Sequence, residues 1–354
     1  MRLFDSQKSW VECTHKDVAW HLRPSVYGAV DPSFSPAVLN VRRRNPVIAK
    51  LKYLLWSLSR IAGADTSCPS CPGQRARLVK RKYTTALYRC PECELMFRVP
   101  KDDPDTAVSF YESEYEQGVT TDCPSSEELE RLKSTRFAGT EKDYAVYISF
   151  LEAAGIRPGM SIFDFGCSWG YGSWQLSQAG YDVYSYEIAP TRARYAKTML
   201  GCRMISPENP GRSFDCFFSA HVLEHLNYPR EMWRVAREVL RPDGAVVTFL
   251  PNGNLTRPQV HKTWGKVHPL LIESSALLNM ARWIDFSGTT YTSPYNLQAV
   301  SHGVQGSDLL GAELAIVAHK IVQPERRLSS LRIAAQPQSQ VQSPESGSCT
   351  SLTW

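Results

Sequence analysis

Three groups of residues in this sequence have the types and spacing to do chemistry. The first runs from Ser161 to Glu187, SIFDFGCSWGYGSWQLSQAGYDVYSYE. A short apolar run ends at Asp164-Phe165, and Gly166, Gly170 and Gly172 then allow a tight turn with room for a ligand against the backbone. Tyr171 to Ala179 has helical spacing and stops at Gly180, so its free N–H groups would face whatever the turn cradles. Asp182 to Glu187 reads as a second strand with an acid at its tip, placed to accept two ribose hydroxyls. A nucleotide-like ligand is expected there. The second group is His221-Val-Leu-Glu224-His225, with His268 further on in Trp264-Gly-Lys-Val-His268-Pro. These are candidate bases, and His221 and His225, four apart, share a face if a helix begins there. The third is Cys68-Pro-Ser-Cys71 and, eighteen residues on, Cys90-Pro-Glu-Cys93. Each C-x-x-C is a knuckle whose two thiolates converge, and two knuckles supply the four ligands of a closed structural zinc site.

The elements that must position these groups can be read around them. Lys142 to Ala154 predicts a lead-in helix. The pattern then gives strand 161–165, helix 171–179, strand 182–187, helix 190–200, a short strand near 202–206, strand 214–219, helix 229–240 and strand 245–250, with a late strand over 313–319. Strands alternating with helices specify an α/β fold with a mostly parallel sheet covered on both faces. This domain is expected over 141–322. Ahead of it the reading is an arm over 1–66, a zinc ribbon over 67–100 and an acidic connector over 101–140, folded over the ligand mouth, in which Ser126 is the expected cap of a short helix. From residue 323 onward the Gln, Ser and Pro composition predicts a disordered tail.

Within the arm, VIAKLKYLLWSLSRI places apolar residues at 47, 48, 51, 54, 55, 58 and 61, the spacing of an amphipathic helix, behind Arg42, Arg43 and Arg44. Such a helix either docks on its own protein or lies in an anionic membrane interface as a peripheral contact. Charge is uneven: the net value is only +5, yet Asp102 to Glu130 holds ten acids and no Lys or Arg, while Gln74 to Arg98 carries seven basic residues against two acids. The basic ribbon could hold nucleic acid, but a solvated basic surface is the favoured reading. No apolar run is long enough to span a bilayer and the N-terminus lacks a signal-peptide layout, so the expected location is cytoplasmic, and peripheral at a membrane surface if the helix meets lipid. Ten cysteines, four of them in tight pairs and the rest scattered, fit a reducing compartment.

Asp164-Phe-Gly166-Cys-Ser168-Trp-Gly170 resembles the D-x-G-x-G-x-G turn of class I methyltransferases that use S-adenosylmethionine, with Ser168 at the middle glycine. The resemblance continues through Phe214-Asp215, through Val222-Leu-Glu224-His225-Leu226 and through Val239-Leu-Arg-Pro242-Asp-Gly244, and covers Tyr147 to Lys320. It implies a Rossmann-like sheet with one late antiparallel strand, with Asp164, Gly166, Ser168 and Gly170 around the methionine and sugar of the cofactor, Glu187 on the ribose and Ile188 beside the adenine. A further adenine contact is expected within 205–209. Methyl transfer is an in-line displacement that chiefly requires positioning and water exclusion, and a base only for a hydroxyl or carbon acceptor. His221, Glu224, His225 and His268 are the candidates. The H-x-x-E-H pattern also occurs in one metallopeptidase group, but its place after a methyltransferase strand argues against that chemistry. Some relatives that methylate phenols carry E-x-x-E-H here and use a metal. His221 stands at the first acid, so metal dependence does not follow. A ribbon, an F-Y-x-x-x-Y stretch at 110–115 and this core together are similar to methyltransferases of sugar and surface-polysaccharide biosynthesis. The absence of N/D-P-P-Y/F after Phe218 turns the expectation to oxygen or carbon acceptors on a small molecule or glycan precursor. The rivals are an RNA methyltransferase and a non-catalytic cofactor-binding scaffold.

Overall fold

Phe214-Asp-Cys-Phe-Phe-Ser-Ala and Ala245-Val-Val-Thr-Phe-Leu are nearly continuous apolar runs, as strands buried on both faces require. In the computed structural model they lie side by side at the centre of a six-stranded sheet. The structure describes residues 46–73, 75–103, 121–257, 260, 264–265, 267–305 and 309–321. The arm before Pro46, the 110–115 stretch and the tail fall outside these residues. The sheet is built from β4 (Ser161–Phe165), β5 (Asp182–Tyr186), β6 (Phe214–Ala220), β7 (Leu240–Pro251), β9 (Phe286–Thr292) and β10 (Glu313–Lys320), in the order β5-β4-β6-β7-β10-β9. β4, β5, β6 and β7 pair in parallel, whereas β10 pairs antiparallel with both β7 and β9. The sheet is therefore Rossmann-like, mixed and mostly parallel. The short strand near 202–206 is reduced to a single bridge between Ser185 and Met204.

Alternation along each strand sends neighbouring side chains into two different cores. Ile162, Cys216, Phe218, Val247 and Phe249 pack with Phe150 and Leu151 of α3 (Ala145–Ala153) and Leu176 of α4 (Tyr171–Gln178). Phe163, Phe217, Val246 and Leu250 face the other way, onto Met232 and Trp233 of α6 (Pro229–Val239) and Leu277 and Met280 of α7 (Ser274–Arg282). Between β5 and β6, α5 (Pro190–Leu200) starts on Pro190 and ends at Gly201 in the left-handed conformation. α2 (Ser126–Ser134) is capped one residue earlier than expected, by Ser125, whose hydroxyl accepts the Glu128 N–H. Its Leu129 and Leu132 pack with Phe137 against Trp169 and Tyr195, beside the glycine turn.

The two cysteine knuckles sit on a second sheet. β1 (Arg77–Lys82), β2 (Thr85–Arg89) and β3 (Met96–Val99) form an antiparallel meander. Its fourth strand, β8 (Leu270–Leu271), comes from the C-terminal half of the chain and pairs with β3 through Met96–Leu271 and Phe97–Leu270. Cys71, Cys90, Cys93, Leu95 and Phe97 share the core of α6 and α7. The meander is thus built into one face of the larger domain. α1 (Pro46–Ile61) leans on it through Arg98, whose buried guanidinium donates to the Tyr53 hydroxyl at 2.9 Å and to Asp102 at 2.6 Å and lies 5.2 Å from the Trp56 ring.

Removing one partner of a buried, hydrogen-bonded ion pair leaves the other charge uncompensated. Arg98→Ala is therefore expected to cost about 3 kcal/mol in urea unfolding and to open α1 to protease ahead of the rest of the domain. Wild-type stability with a protected α1 would contradict the anchor.

Candidate active site

The turn after β4 needs a backbone without side chains at two points. Gly166 has φ +86°, and a Cβ there would come within 2.4 Å of Val222; Gly170 has φ +93°, and its Cβ would meet Ala196 and Cys202 at 2.8 Å. Ser168 occupies the middle position with φ +53°, showing that serine keeps the loop. The Gly166–Val222 approach also seats the glycine turn directly against the segment that carries His221, Glu224 and His225. The expected glycine turn leading into the N-terminus of α4 at Gly170 is present.

Asp164 ends β4 fully buried. A hydroxyl relay reaches it: Ser185 Oγ donates to Ser173 Oγ at 2.9 Å, and Ser173 Oγ to the carboxylate at 2.6 Å. Burial pushes its carboxyl up to about 7, against the Ser173 hydrogen bond. Glu187 is also buried, and its carboxylate is a hub. One oxygen accepts the Ser168 N–H at 2.9 Å; the other accepts the Ala189 N–H at 2.9 Å and the Arg192 guanidinium at 2.8 Å. The acid expected at the end of the second strand therefore also ties the glycine turn to the start of α5. Ile188 follows it half-buried, and Ile205 in the expected adenine loop is hydrogen-bonded to Ser185.

At the ends of β6 and β7 the structure gathers all four base candidates. They do not share a helix face: His221 sits in a left-handed bend with φ +56°, and Leu223–His225 make a single 3-10 turn. His221 lies 2.6 Å from Glu313 through Nε2 and 3.6 Å from Glu224 through Nδ1. Burial would lower its pKa, but the two flanking carboxylates raise it to about 10. Glu224 is 3% exposed, and among the described residues neither of its carboxylate oxygens has a hydrogen-bond partner. Burial opposes its charge, yet the imidazoles of His225 and His221 hold its carboxyl below the usual range. His225 donates its Nδ1–H to the Val267 carbonyl at 2.8 Å, and its Nε2 stands 3.7 Å from Glu224. Burial pushes His225 down, and His268, stacked 4.7 Å from it, down to about 4. Ligand atoms of Glu224, His225 and His268 lie within 4.8 Å of one another, a set that can pass a proton or hold a divalent cation.

Three residues at this site escaped sequence reading. Glu313 accepts from the Tyr147 hydroxyl at 2.8 Å and from Tyr295 at 2.6 Å while contacting His221. The signal was available: β10 runs antiparallel, so its first residue lies at the end where the parallel strands finish, opposite Pro251. Next to the cluster is a cavity of ≈ 170 Å³ lined by Glu224, Pro251, Asn252, Arg257, Val260, His268, Leu270, Leu271 and Ala312. Leu270 and Leu271 are β8, so one wall of this cavity is a strand of the cysteine-bearing sheet.

For Asp164 the sign of the pH dependence follows from a folded pKa of about 7 above the unfolded value of 3.8. Below 3.8 both states hold the proton and its contribution is intact; as pH rises through about 7 the contribution is lost. Melting temperature should fall across that window in the wild type, and Asp164→Asn, neutral throughout, should flatten this component. A parallel fall in both proteins would remove Asp164 as its source.

Residues 163–248 match the family model described as a methyltransferase domain. No curated protein matches the sequence. Among solved structures, the chain is similar to the plantazolicin methyltransferase BpumL in complex with SAH, at 14% identity over 60% of this chain and 93% of that one, TM-score 0.42. It is also similar to a TehB-like SAM-dependent methyltransferase from Corynebacterium glutamicum, at 21% identity over 55% of this chain and 97% of that one, TM-score 0.39. A third, a S-adenosylmethionine-dependent methyltransferase from Clostridium acetobutylicum, shows 7% identity over 55% of this chain and 98% of that one, TM-score 0.41. With the acid, the glycine turn, the second acid and the strand order already in place, the match over 163–248 identifies the catalytic part of this chain as an S-adenosylmethionine-dependent methyltransferase domain.

Proposed function

We propose that this domain moves the methyl group to an oxygen or carbon of a small molecule or glycan precursor held in the cavity beside Glu224. The observation that carries this reading is the Glu224 carboxylate: buried, without a hydrogen bond among the described residues, and lining the cavity. A buried carboxylate in that condition is a ready acceptor for an O–H or activated C–H, and an amine acceptor would need no such group. Glu224 would take the acceptor's proton as the methyl group passes from the donor sulfur to the acceptor oxygen or carbon, and His268 lines the same cavity. His221, charged and held by Glu313, keeps Glu224 ionised in a site that would otherwise neutralise it. Asp164, Gly166, Ser168 and Gly170 bind the methionine and sugar of the cofactor. Glu187 receives the ribose, sharing its carboxylate with Arg192, and Ile188 lies at the adenine.

Cys68, Cys71, Cys90 and Cys93 hold a structural zinc in this reading. The four Sγ atoms lie within 4.8 Å of one another, with Cys68–Cys93 and Cys71–Cys90 at 3.5 Å. A tetrahedral site with Zn–S bonds of about 2.3 Å sets its sulfurs about 3.8 Å apart, so the set fits. Backbone N–H groups of Ser70 and Gly73 point at Cys68 and Cys71 at 3.4 Å, as thiolates require, and any Cβ on Gly73 would sit 2.8 Å from Cys90 Sγ. With no open ligand position, the ion holds the meander in shape and performs no hydrolysis.

Incubation with methyl-labelled cofactor and separate small-molecule, sugar-nucleotide, glycolipid and RNA fractions tests the acceptor class; label confined to RNA or to amines would overturn it. Once an acceptor is found, Glu224→Gln should lower kcat by about 10²-fold or more while cofactor Kd stays within a factor of two. An unchanged kcat would remove Glu224 from the reaction. Cys90→Ser should release zinc in a metal assay and weaken acceptor binding through the β8 wall; wild-type protein free of zinc as purified would end the metal assignment.

A further inference from the structure

The α1 helix docks with the wrong face for an ordinary surface helix. Its contacts to the meander are made by Tyr53, Trp56, Ser57 and Arg60: the first two against Arg98, Ser57 against Thr84, and Arg60 against Asp103. At 100° per residue these four fall on one side of the helix. Leu51, Leu54, Leu55 and Leu58 fall on the other, and they are 56%, 37%, 60% and 55% exposed. The amphipathic stripe that the sequence predicts is real, but among the described residues nothing covers it. Four leucines on one face of a single helix form an apolar strip that water penalises, the mark of an interaction surface.

What surrounds the strip decides its occupant. From Pro32 to Pro91 the sequence has twelve Lys and Arg and one acid, Asp65, which is itself paired with Lys101. Next to α1, at the turn that Thr84 shares with Ser57, edge strand β1 presents Arg77, Lys80 and Arg81 to solvent together with Leu78 and Val79. Tyr83, at the tip of that hairpin, is 91% exposed. Leucines exposed on one helix face, in a region whose exposed Lys and Arg and projecting tyrosine lie on the hairpin that Ser57 touches, match the layered chemistry of an anionic lipid surface: apolar residues into the acyl boundary, tyrosine at the headgroups, cations on the phosphates. A nucleic acid would satisfy the cations but leave the four leucines in water. No described helix is long and apolar enough to cross a membrane.

We propose that the exposed face of α1, with the β1–β2 hairpin beside it, seats the protein on anionic membrane, so that the methyltransferase domain works at a lipid surface. This does not rest on the acceptor assignment above. The test is co-sedimentation of the full chain with phosphatidylcholine vesicles and with vesicles that also contain phosphatidylglycerol. Binding to the anionic vesicles alone is expected, weakened in about 1 M salt where charge screening acts within about 3 Å. Leu55→Glu/Leu58→Glu should lower the bound fraction by about 10-fold or more, since it places two charges in the acyl boundary. Leu55→Met/Leu58→Met should keep it, and unchanged melting temperature and cofactor affinity in both variants would show the fold intact. The proposal is overturned if neither vesicle binds, if the Glu variant binds as well as wild type, or if RNA shifts the protein where vesicles do not. It is equally overturned if the wild type is a dimer in sedimentation velocity that the Glu variant dissolves, because the face would then belong to a second copy.

Discussion

A carboxylate removed from water without a hydrogen bond is one of the costliest groups a fold can carry, and the arrangement around Glu224 is organised by that cost. Left alone, Glu224 would take up a proton and lose its use as an acceptor. His221, its side chain 44% exposed, counters this from 3.6 Å, and Glu313 at 2.6 Å pairs with the imidazole. Glu313 in turn is held by two tyrosine hydroxyls from α3 and from the segment after β9. The chain of compensation therefore runs from the pocket outward through three separate elements. Each step orders a side chain that the next depends on, so the Glu224 carboxylate is held in place in advance, the preorganisation that its proposed role as base would use.

The opposite side of the site rests on steric exclusion. Gly166 admits Val222 where a Cβ would stand, so the cofactor turn and the acceptor segment are packed as one unit. In-line transfer needs the donor carbon and the acceptor atom aligned to a fraction of an ångström, and direct packing of the two loops supplies that alignment with no intermediary. Glu187 does the same on the other flank, joining Ser168 to Ala189 and Arg192 through one carboxylate.

Local pattern made most of the sheet legible. β4, α4, α5 and β6 stand within a residue of their expected limits, because apolar runs, Pro190 at a helix start and Gly180 and Gly201 after helix ends act over short range. The turn residues and the C-x-x-C pairs were equally visible. What escaped was set by tertiary contact: β8 is two residues long and exists only because β3 offers an edge, and β9 carries a Ser-Gly-Thr-Thr centre without the usual apolar run. Glu313 and Tyr147 lie 166 residues apart and no local rule joins them. The expectation that His221 and His225 share a helical face failed because His221 bends left-handed and only a single 3-10 turn follows.

Those tertiary contacts also explain why an apparently separable cysteine module belongs to the catalytic domain. β8 is at once the fourth strand of the meander and a wall of the cavity, and the residue before it, Pro269, accepts the Arg98 N–H at 2.8 Å. Arg98 uses its guanidinium to hold α1 and its backbone to hold the strand that follows His268. Displacement of α1 therefore acts on the same residue that fixes the acceptor wall, two bonds of backbone away from its side chain. A strand pairing of two residues has little stability of its own, so the position of His268 depends on the four-cysteine sheet being rigid. The basic N-terminal unit is accordingly packed into the frame that holds His268 and the cavity beside Glu224, and Arg98 joins it to α1.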